Sequence, residues 1–360
     1  MKQFDIALIP GDGIGAEVVP AGQKILDIAA QVHGGFRFRY KTFPWSCQYY
    51  LKHGKMMPDD GLGRLADFDA IFLGAVGFPG VPDHISLWGL LIPIRRGFQQ
   101  YACVRPVRLL PGVRSPLAGR APQDIDFIVV RENNEGEYSS MGGRIYSDTP
   151  HEVVTQLNVF TRRGTERIIR YAFELARKKR KKKVTSATKS NGIIFSMPFW
   201  DEVFWKIAKE HPKIAADQMH IDALAARFVT HPQNFGVVVG SNLFGDILTD
   251  LGAAIAGSIG IGASANINPE KQYPSCFEPV HGSAPDIVGR GIANPLGQVW
   301  SGALMLEHLG FAGAHDLVVK AMTNVLEAGI KTPDLGGDSN TREVTQAVAR
   351  EIRRLAENGG

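Results

Sequence analysis

Two aspartates, Asp246 and Asp250, sit four residues apart in the apolar run SNLFGDILTDLGAAIAG, residues 241–257. The pattern predicts a helix beginning near Asn242. At about 100° per residue its buried stripe is Leu243, Ile247, Leu251 and Ala254, with Asp250 inside the stripe and Asp246 at its edge. A carboxylate on a buried face is costly unless something pairs with it. Side chains four apart on a helix point the same way, so the two acids can share a hard dication such as Mg²⁺ or Mn²⁺, which takes oxygen ligands. The competing reading is a surface helix whose acids face water. Asp222, in HIDALAARFV, reads by itself as a helix N-cap and becomes a third ligand only in company.

Three arginines end apolar stretches: Arg95 in IRR, Arg105 in VRP and Arg131 in VRENN. Strand and helix ends line clefts in α/β proteins, and guanidinium groups grip carboxylates bidentately while keeping their charge. Converging, the three would hold a small dicarboxylate; apart, each reads as a surface or ion-paired cation. Tyr138, in RENNEGEYS, and Lys189, in TKSNG, are groups able to move protons. A lysine close to a dication and other cations loses proton affinity and can act as a base.

These side chains need a scaffold, and the scaffold reads as α/β. Strand-like FDIALI is followed by a helix from about Gly13 to Val32, then FRFRYKTF, DAIFLGAV and a helix through Leu87 to Phe98. A second set, DFIVVRE, HEVVTQLNVF, KVTSATK and FGVVVGS, is separated by helices near 161–180, 197–210 and 222–230. That alternation predicts parallel sheet covered by helices. From Gly291 the pattern is wholly helical, so the last helices must cover a sheet already built. SSMGGRIYSDTPHEVVTQLNVF reads either as an ordinary hairpin or as an arm pairing with a second subunit.

Composition narrows the function classes. At 360 residues, with 44% apolar and 21% charged residues, two lobes of an ordinary globular protein are expected. No apolar run reaches the roughly 20 residues that span a bilayer, and no signal peptide is read at the start, so a cytoplasmic protein without membrane partners is expected. Cys47, Cys103 and Cys276 are too scattered for a zinc or disulfide framework and read as free thiols. The net charge is only +4, and the basic run from Arg177 to Lys183 closes a helical pattern without interleaved aromatics. It reads as a solvated helix end rather than a nucleic-acid contact.

IPGDGIG places Gly11, Gly13 and Ala16 at the spacing of a dinucleotide fingerprint after an apolar run. A true Rossmann unit also needs an acid at the end of its second strand, and FRFRYKTF has none.

Together, IPGDGIG, IRR with VRP, VRENNEGEYS, TKSNG, IDALAARFV, SNLFGDILTDL and EPVHGSAPDIVGRGIANP strongly resemble the β-decarboxylating dehydrogenases, the family of isocitrate, isopropylmalate, tartrate and D-malate dehydrogenases. The resemblance implies a two-lobed fold, not a Rossmann fold. Its larger, cofactor-side domain would be residues 1–100 plus 255–360, and its smaller domain residues 101–254, with a dimer arm near 140–160. It implies a homodimer with shared sites. Arg95, Arg105 and Arg131 would hold substrate carboxylates, Asp246 and Asp250 would bind metal with the partner's Asp222, and Tyr138 and the partner's Lys189 would handle protons.

The resemblance further places the cofactor at Ile14, Ala75, Glu278, the run His281, Gly282, Ser283, Ala284, Pro285 and Asp286, and Asn294. Asp286 would bond a free ribose 2′-hydroxyl and repel a 2′-phosphate, so NAD is expected; relatives that bind the phosphate carry lysine and tyrosine where this chain has Asp286 and Ile287. Mn²⁺ or Mg²⁺ is implied, and a monovalent cation such as K⁺ is compatible. Substrate choice turns on the helix before Arg95. Gly89 and Leu91 replace the serine and asparagine of isocitrate enzymes, and Trp88 replaces the glutamate of isopropylmalate enzymes. Trp88 and Leu91 are therefore specificity candidates, and the tartrate and D-malate branch is the best match. Pro93 inside the helix, Cys103 near Arg105, and apolar Leu90 and Ile92 depart from the pattern and keep an alkylmalate substrate open.

Overall fold

The computed structural model describes residues 1–358. Its strands are β1 (Lys2–Gly11), β2 (Phe36–Thr42), β3 (Ala70–Ala75), β4 (Ala102–Arg108), β5 (Asp126–Glu132), β6 (Gly142–Ile145), β7 (Val153–Gln156), β8 (Lys183–Thr188), β9 (Ala215–His220), β10 (Val237–Gly240), β11 (Ala263–Ile267) and β12 (Ser275–Pro279). Ten of them form one sheet in the order β2-β1-β3-β12-β11-β4-β5-β10-β8-β9. β2, β1, β3 and β12 are mutually parallel, as are β5, β10, β8 and β9. Between the two wings β11 runs antiparallel to both β12 and β4, and β4 runs antiparallel to β5, so the wings point in opposite directions. The two sets read from sequence thus fall in the wings, except HEVVTQLNVF, whose strand β7 lies outside this sheet, while β4, β9, β11 and β12 lacked a clear signal. In β11 and β12 the short runs ASANI and SCFEP carry polar residues at buried positions.

The helices are α1 (Gly15–His33), α2 (Cys47–His53), α3 (Gly61–Leu65), α4 (Asp83–Ser86), α5 (Ile92–Gly97), α6 (Arg162–Lys178), α7 (Ser196–Glu210), α8 (Ile221–Thr230), α9 (Asn242–Ile255), α10 (Leu296–His308), α11 (Ala312–Glu327) and α12 (Thr341–Glu357). The last three pack with α1 over the first wing, and α6 and α7 pack together over the second. Every residue of β3 and β10 is buried, as strands covered on both faces require. No helix among the described residues is long and apolar enough to cross a membrane.

Three local expectations change. α4 and α5 are joined by one wide turn, Leu87–Leu91, in which the Ile92 N–H donates to the Leu87 carbonyl five residues back. A proline has no N–H to donate and its ring collides with the carbonyl four back, so the widened turn lets Pro93 sit in the helix without breaking it. Leu90, 0% exposed, points into core with Ile94, Ile9 and Leu73, and Ile92 is 3% exposed. Leu90 thus serves the packing of this helix. The basic run is not simply solvated: Lys178 and Lys179 pair with Glu307, Lys181 with Asp126 and Lys183 with Asp217.

β6 and β7 form an antiparallel ribbon outside the main sheet, with every residue exposed. Ile145, Val153, Val154 and Leu157 on and beside it are 57%, 46%, 66% and 52% exposed. Both readings of this segment, hairpin and arm, begin from that geometry.

Candidate active site

At the joint between the wings the three arginines meet. Arg131 is the penultimate residue of β5, Arg105 lies in the middle of β4 rather than at its end, and Arg95 lies in α5. All three are buried, and each is held from behind. Arg95 Nη2 donates to Glu278 Oε1 at 2.7 Å, and Asn266 Nδ2 donates to the same oxygen at 2.7 Å. Arg105 Nη1 donates to Thr249 Oγ1 at 2.6 Å and its Nε to Ser264 Oγ at 3.3 Å. Asn242 Oδ1 accepts from Arg131 Nε at 3.0 Å and from Nη2 at 2.6 Å. The burial of three cations is tolerable because acceptors surround them.

α9 presents the aspartates to this layer, though not as its pattern suggested. Its buried face is Phe244, Leu248, Gly252 and Ile255, while Ile247 is 51% exposed and Ala254 is exposed. The helix is apolar on two faces, and tertiary packing chose the other one; Asp250 is therefore 62% exposed at the side chain, not buried in a stripe. What draws the two acids together is charge. Arg131 Nη1 is ion-paired to Asp246, and Arg105 Nη1 lies 3.5 Å from Asp246 Oδ1 and 3.6 Å from Asp250 Oδ1. Both carboxylates thus converge on one cationic nitrogen, which is the arrangement a hard dication needs of two ligands. Burial pushes the Asp246 carboxyl up, but Arg131 and Arg105 outweigh it and hold it below the ordinary range. Asp250 is pushed up, by burial first and then by Asp246.

Tyr138 reaches the same acid: its hydroxyl donates to Asp246 Oδ2 at 2.8 Å. Burial and the neighbouring carboxylate raise its pKa, so it keeps its proton, as a proton donor must. The Arg131 guanidinium lies 5.4 Å from the Tyr138 ring centre, and Arg96 donates to the Tyr138 carbonyl while stacking 4.9 Å from Trp88. Trp88 and Tyr138 line an open cleft of about 500 Å³ with His84, Glu137 and Gln156. Leu91 is half-buried and packs against the core around Ile94.

Lys189 and Asp222 form a separate pair, Nζ to Oδ2 at 2.8 Å. Asp222 lies inside the first turn of α8, whose cap is His220, so it is not the N-cap. No contact joins this pair to Asp246 or Asp250, and no group of three metal-ligating side chains forms among the described residues of one chain.

The glycine turn sits elsewhere, against the 281–287 segment. Gly13 has φ +58° and lets the Ile14 N–H donate to the Ser283 carbonyl at 2.9 Å. Asp12, 2% exposed, accepts from the Cys47 and Gly77 N–H groups at 3.0 and 3.1 Å and braces the turn. Ile14 is 4% exposed, packed with Val18, Ala293, Ala284 and Ile287, while Ala75 is buried and its carbonyl takes the Asp12 N–H. Gly282, Ser283 and Pro285 border an open cleft of about 660 Å³ shared with Gly77 to Asp83. Asp286 is exposed; the His281 imidazole is held neutral by burial; and Asn294 donates to Asp334 at 3.0 Å. Glu278, expected beside the cofactor, lies under Arg95 with its carboxylate engaged there. Cys103 also backs the arginine layer, with Sγ 3.5 Å from the Ser264 hydroxyl.

Asn242, Thr249, Ser264 and Asn266, which hold the arginine layer, were not singled out in the sequence. Thr249 follows Asp246 by three and so shares its helix face, a usable signal; Ser264 and Asn266 lie on β11, whose strand character was itself not evident.

Comparison with known proteins agrees with this geometry. Residues 5–348 match the isocitrate/isopropylmalate dehydrogenase family model. The chain is 57% identical to a probable tartrate dehydrogenase/decarboxylase of Bacillus subtilis (strain 168), over 99% of both chains. It is also 57% identical to the D-malate dehydrogenase [decarboxylating] of Escherichia coli (strain K12), over 98% of this chain and 100% of that one. Among solved structures, isocitrate dehydrogenase from Methylococcus capsulatus superposes with a TM-score of 0.87 at 36% identity, covering 98% of this chain and 100% of that one. With the arginine layer, the two-winged sheet and these relatives in agreement, the chain is an oxidoreductase belonging to the isocitrate/isopropylmalate dehydrogenase family.

Proposed function

We propose that this chain catalyses the NAD-dependent, divalent-metal-assisted oxidation and decarboxylation of a small 2-hydroxy dicarboxylate, D-malate to pyruvate and CO₂ or the corresponding reaction of tartrate. The observation that carries this reading is the single network in which three buried arginines, two converging aspartates and a protonated tyrosine meet. Arg95, Arg105 and Arg131 fix the substrate carboxylates. Asp246 and Asp250 hold Mn²⁺ or Mg²⁺ with Asp222 of a second copy, and the ion and NAD supply carbonyl polarisation and hydride acceptance. Lys189, arriving beside its own Asp222 from that copy, takes the hydroxyl proton, and Tyr138 protonates the carbon that loses CO₂.

A homodimer follows from this assignment. The 140–160 ribbon and the exposed Ile247 on α9 are surfaces that a second copy would cover. The larger, cofactor-side domain is assigned to residues 1–100 plus 255–360 and the smaller to 101–254, a division in line with the two wings of the sheet. NAD is assigned to the cleft beside Gly282, Ser283 and Pro285, with Asp286 at the adenosine ribose; K⁺ is a further ion to assay. Trp88 and Leu91, bordering or backing the Tyr138 cleft, set substrate choice, and the burial of Leu90 and Ile92 favours D-malate or tartrate over 3-isopropylmalate.

The test is NADH formation on a panel of D-malate, tartrate isomers and 3-isopropylmalate, with Mn²⁺ and after chelation. D-malate or tartrate turnover that stops on chelation is expected; metal-independent turnover, or a kcat/KM that ranks 3-isopropylmalate first, refutes the assignment.

A further inference from the structure

On the face of the sheet opposite Arg105 lies a second cavity, a groove of about 310 Å³. Alternation along the central strands separates the two faces. Arg105 and Ser264 look toward the active site, whereas Val104, Pro106, Ile128, Ala265 and Ile267 floor the groove. α6 lies over β5 and β10, and α10 over β11 and β12, so the groove is the gap between the helical covers of the two wings. Trp300, Leu175 and Tyr171 add apolar walls.

Its rim is charged. Arg108, Lys178, Lys179 and Lys181 face Asp126 and Glu307, four cations against two acids. Lys179 Nζ donates to both Glu307 oxygens at 2.7 and 2.6 Å, with Lys178 3.4 Å from one of them, and Lys181 lies 2.9 Å from Asp126. Arg108 pairs with no acid among the described residues. Burial pushes His308 down to about 4, so it adds no charge at neutral pH. The result is a half-open groove with an apolar floor beneath an excess of positive charge, with a volume at the lower end of the range, about 300–1,000 Å³, that holds small ligands.

We propose that this groove is an effector site for a small organic carboxylate carrying a compact apolar group. The apolar body displaces water from Val104, Ile267 and Trp300, while the carboxylate meets Arg108 and Lys178. The site is coupled to catalysis by its position: β4 carries Val104 and Pro106 on this face and Arg105 on the other. A body wedged between α6 and α10 alters how the two wings meet at the arginine layer.

Phenylacetate is a suitable probe, with acetate for the charge alone and benzyl alcohol for the body alone, each titrated calorimetrically into the full-length protein. Saturable binding is expected for phenylacetate only. It should weaken at least about tenfold in Arg108→Glu with Lys178→Glu, both exposed and outside the catalytic network, and should shift the KM for D-malate about fivefold or more. The proposal is overturned by absence of saturation at about 10 mM, by an affinity the double variant leaves unchanged, by displacement with D-malate, or by an unaltered KM. Should D-malate not be turned over, the dehydrogenase assignment fails on its own and the binding results alone decide the site.

Discussion

Arg131, a buried cation near the end of β5, is ion-paired with Asp246, a half-exposed acid 115 positions further along the chain. The arginine assigned to a substrate carboxylate therefore holds the carboxylate assigned to the metal. The two acids of α9 differ in what they support. Asp246 neutralises Arg131 and accepts from Tyr138, whereas Asp250 is 62% exposed at the side chain and touches only Arg105.

This difference separates two substitutions. Asp246→Asn leaves a buried guanidinium with a neutral partner and should cost about 1–2 kcal/mol, discounted because Asp246 is itself partly solvated. Asp250→Asn should change stability by less than about 0.5 kcal/mol. Both should weaken Mn²⁺ binding about tenfold or more, since each removes a ligand charge. Urea unfolding and Mn²⁺ titration followed by electron paramagnetic resonance read the two effects independently; Mn²⁺ affinity unchanged in Asp250→Asn removes it from the ligand set.

Much of this site was legible in the sequence because it consists of charged residues placed against an apolar background. Arg95, Arg105, Arg131 and Asp246 stood out that way, Tyr138 stood out as a proton-moving group in a polar run, and the structure brings them together. The orientation of α9 was not legible. Leu243 and Ile247 suggested one buried face, but Phe244, Leu248 and Ile255 occupy it, since periodicity cannot rank two apolar faces when one is left for solvent or another chain. The central antiparallel strands were missed for a related reason: Ser264, Asn266, Ser275 and Glu278 are buried polar groups satisfied by the arginine layer and by backbone, so their strands lack an apolar signature.

In the proposed cofactor assignment, the choice between NAD and NADP rests on Asp286. Replacing it together with its neighbour, Asp286→Lys with Ile287→Tyr, should move the NAD/NADP ratio of kcat/KM toward NADP by about a hundredfold, through loss of repulsion and gain of a cation for the 2′-phosphate. Ile287 also packs with Ile14 and Val18, so part of the effect on NAD will be misplacement of the glycine turn. Asp286→Lys alone isolates the charge effect. A ratio that stays put in both variants places the adenosine ribose elsewhere.

Glu132 gives a pH dependence whose sign is fixed. Burial pushes its carboxyl up to about 7, although the Glu135 and Asn134 N–H groups donate to it and Arg167 lies 3.8 Å away. Its other oxygen, Oε1, has no hydrogen-bond partner. The folded state thus holds this proton more tightly than the unfolded chain. The protonated form's stabilisation is full below the unfolded value of 4.5 and is lost as pH rises to about 7. Glu132→Gln should match the parent near pH 4 and exceed its stability at pH 8, by at most about 3 kcal/mol. Urea midpoints across that range check it; parallel curves for the two proteins would show that Glu132 is ionised in the fold.

The glycine turn is a structural wedge, and its space can be tested directly. A Cβ on Gly13 would stand 2.0 Å from the Ser283 carbonyl oxygen and 2.8 Å from its carbon, and the residue's φ of +58° already disfavours a side chain. The obstructing atoms are backbone, so no rotamer change relieves the clash, and either the turn or the 281–287 segment must move. Gly13→Ala should therefore destabilise the fold by about 1–3 kcal/mol. If this segment binds NAD, the KM for NAD should rise about tenfold while the KM for the dicarboxylate changes far less, because the arginine layer makes no hydrogen bond to this turn. Gly63→Ala is the matched control: it lies exposed in α3 with nothing within 4 Å of a built Cβ, so it should leave both KM values unchanged. Equal KM shifts for NAD and dicarboxylate in Gly13→Ala would show that the turn supports the fold as a whole rather than the cofactor cleft.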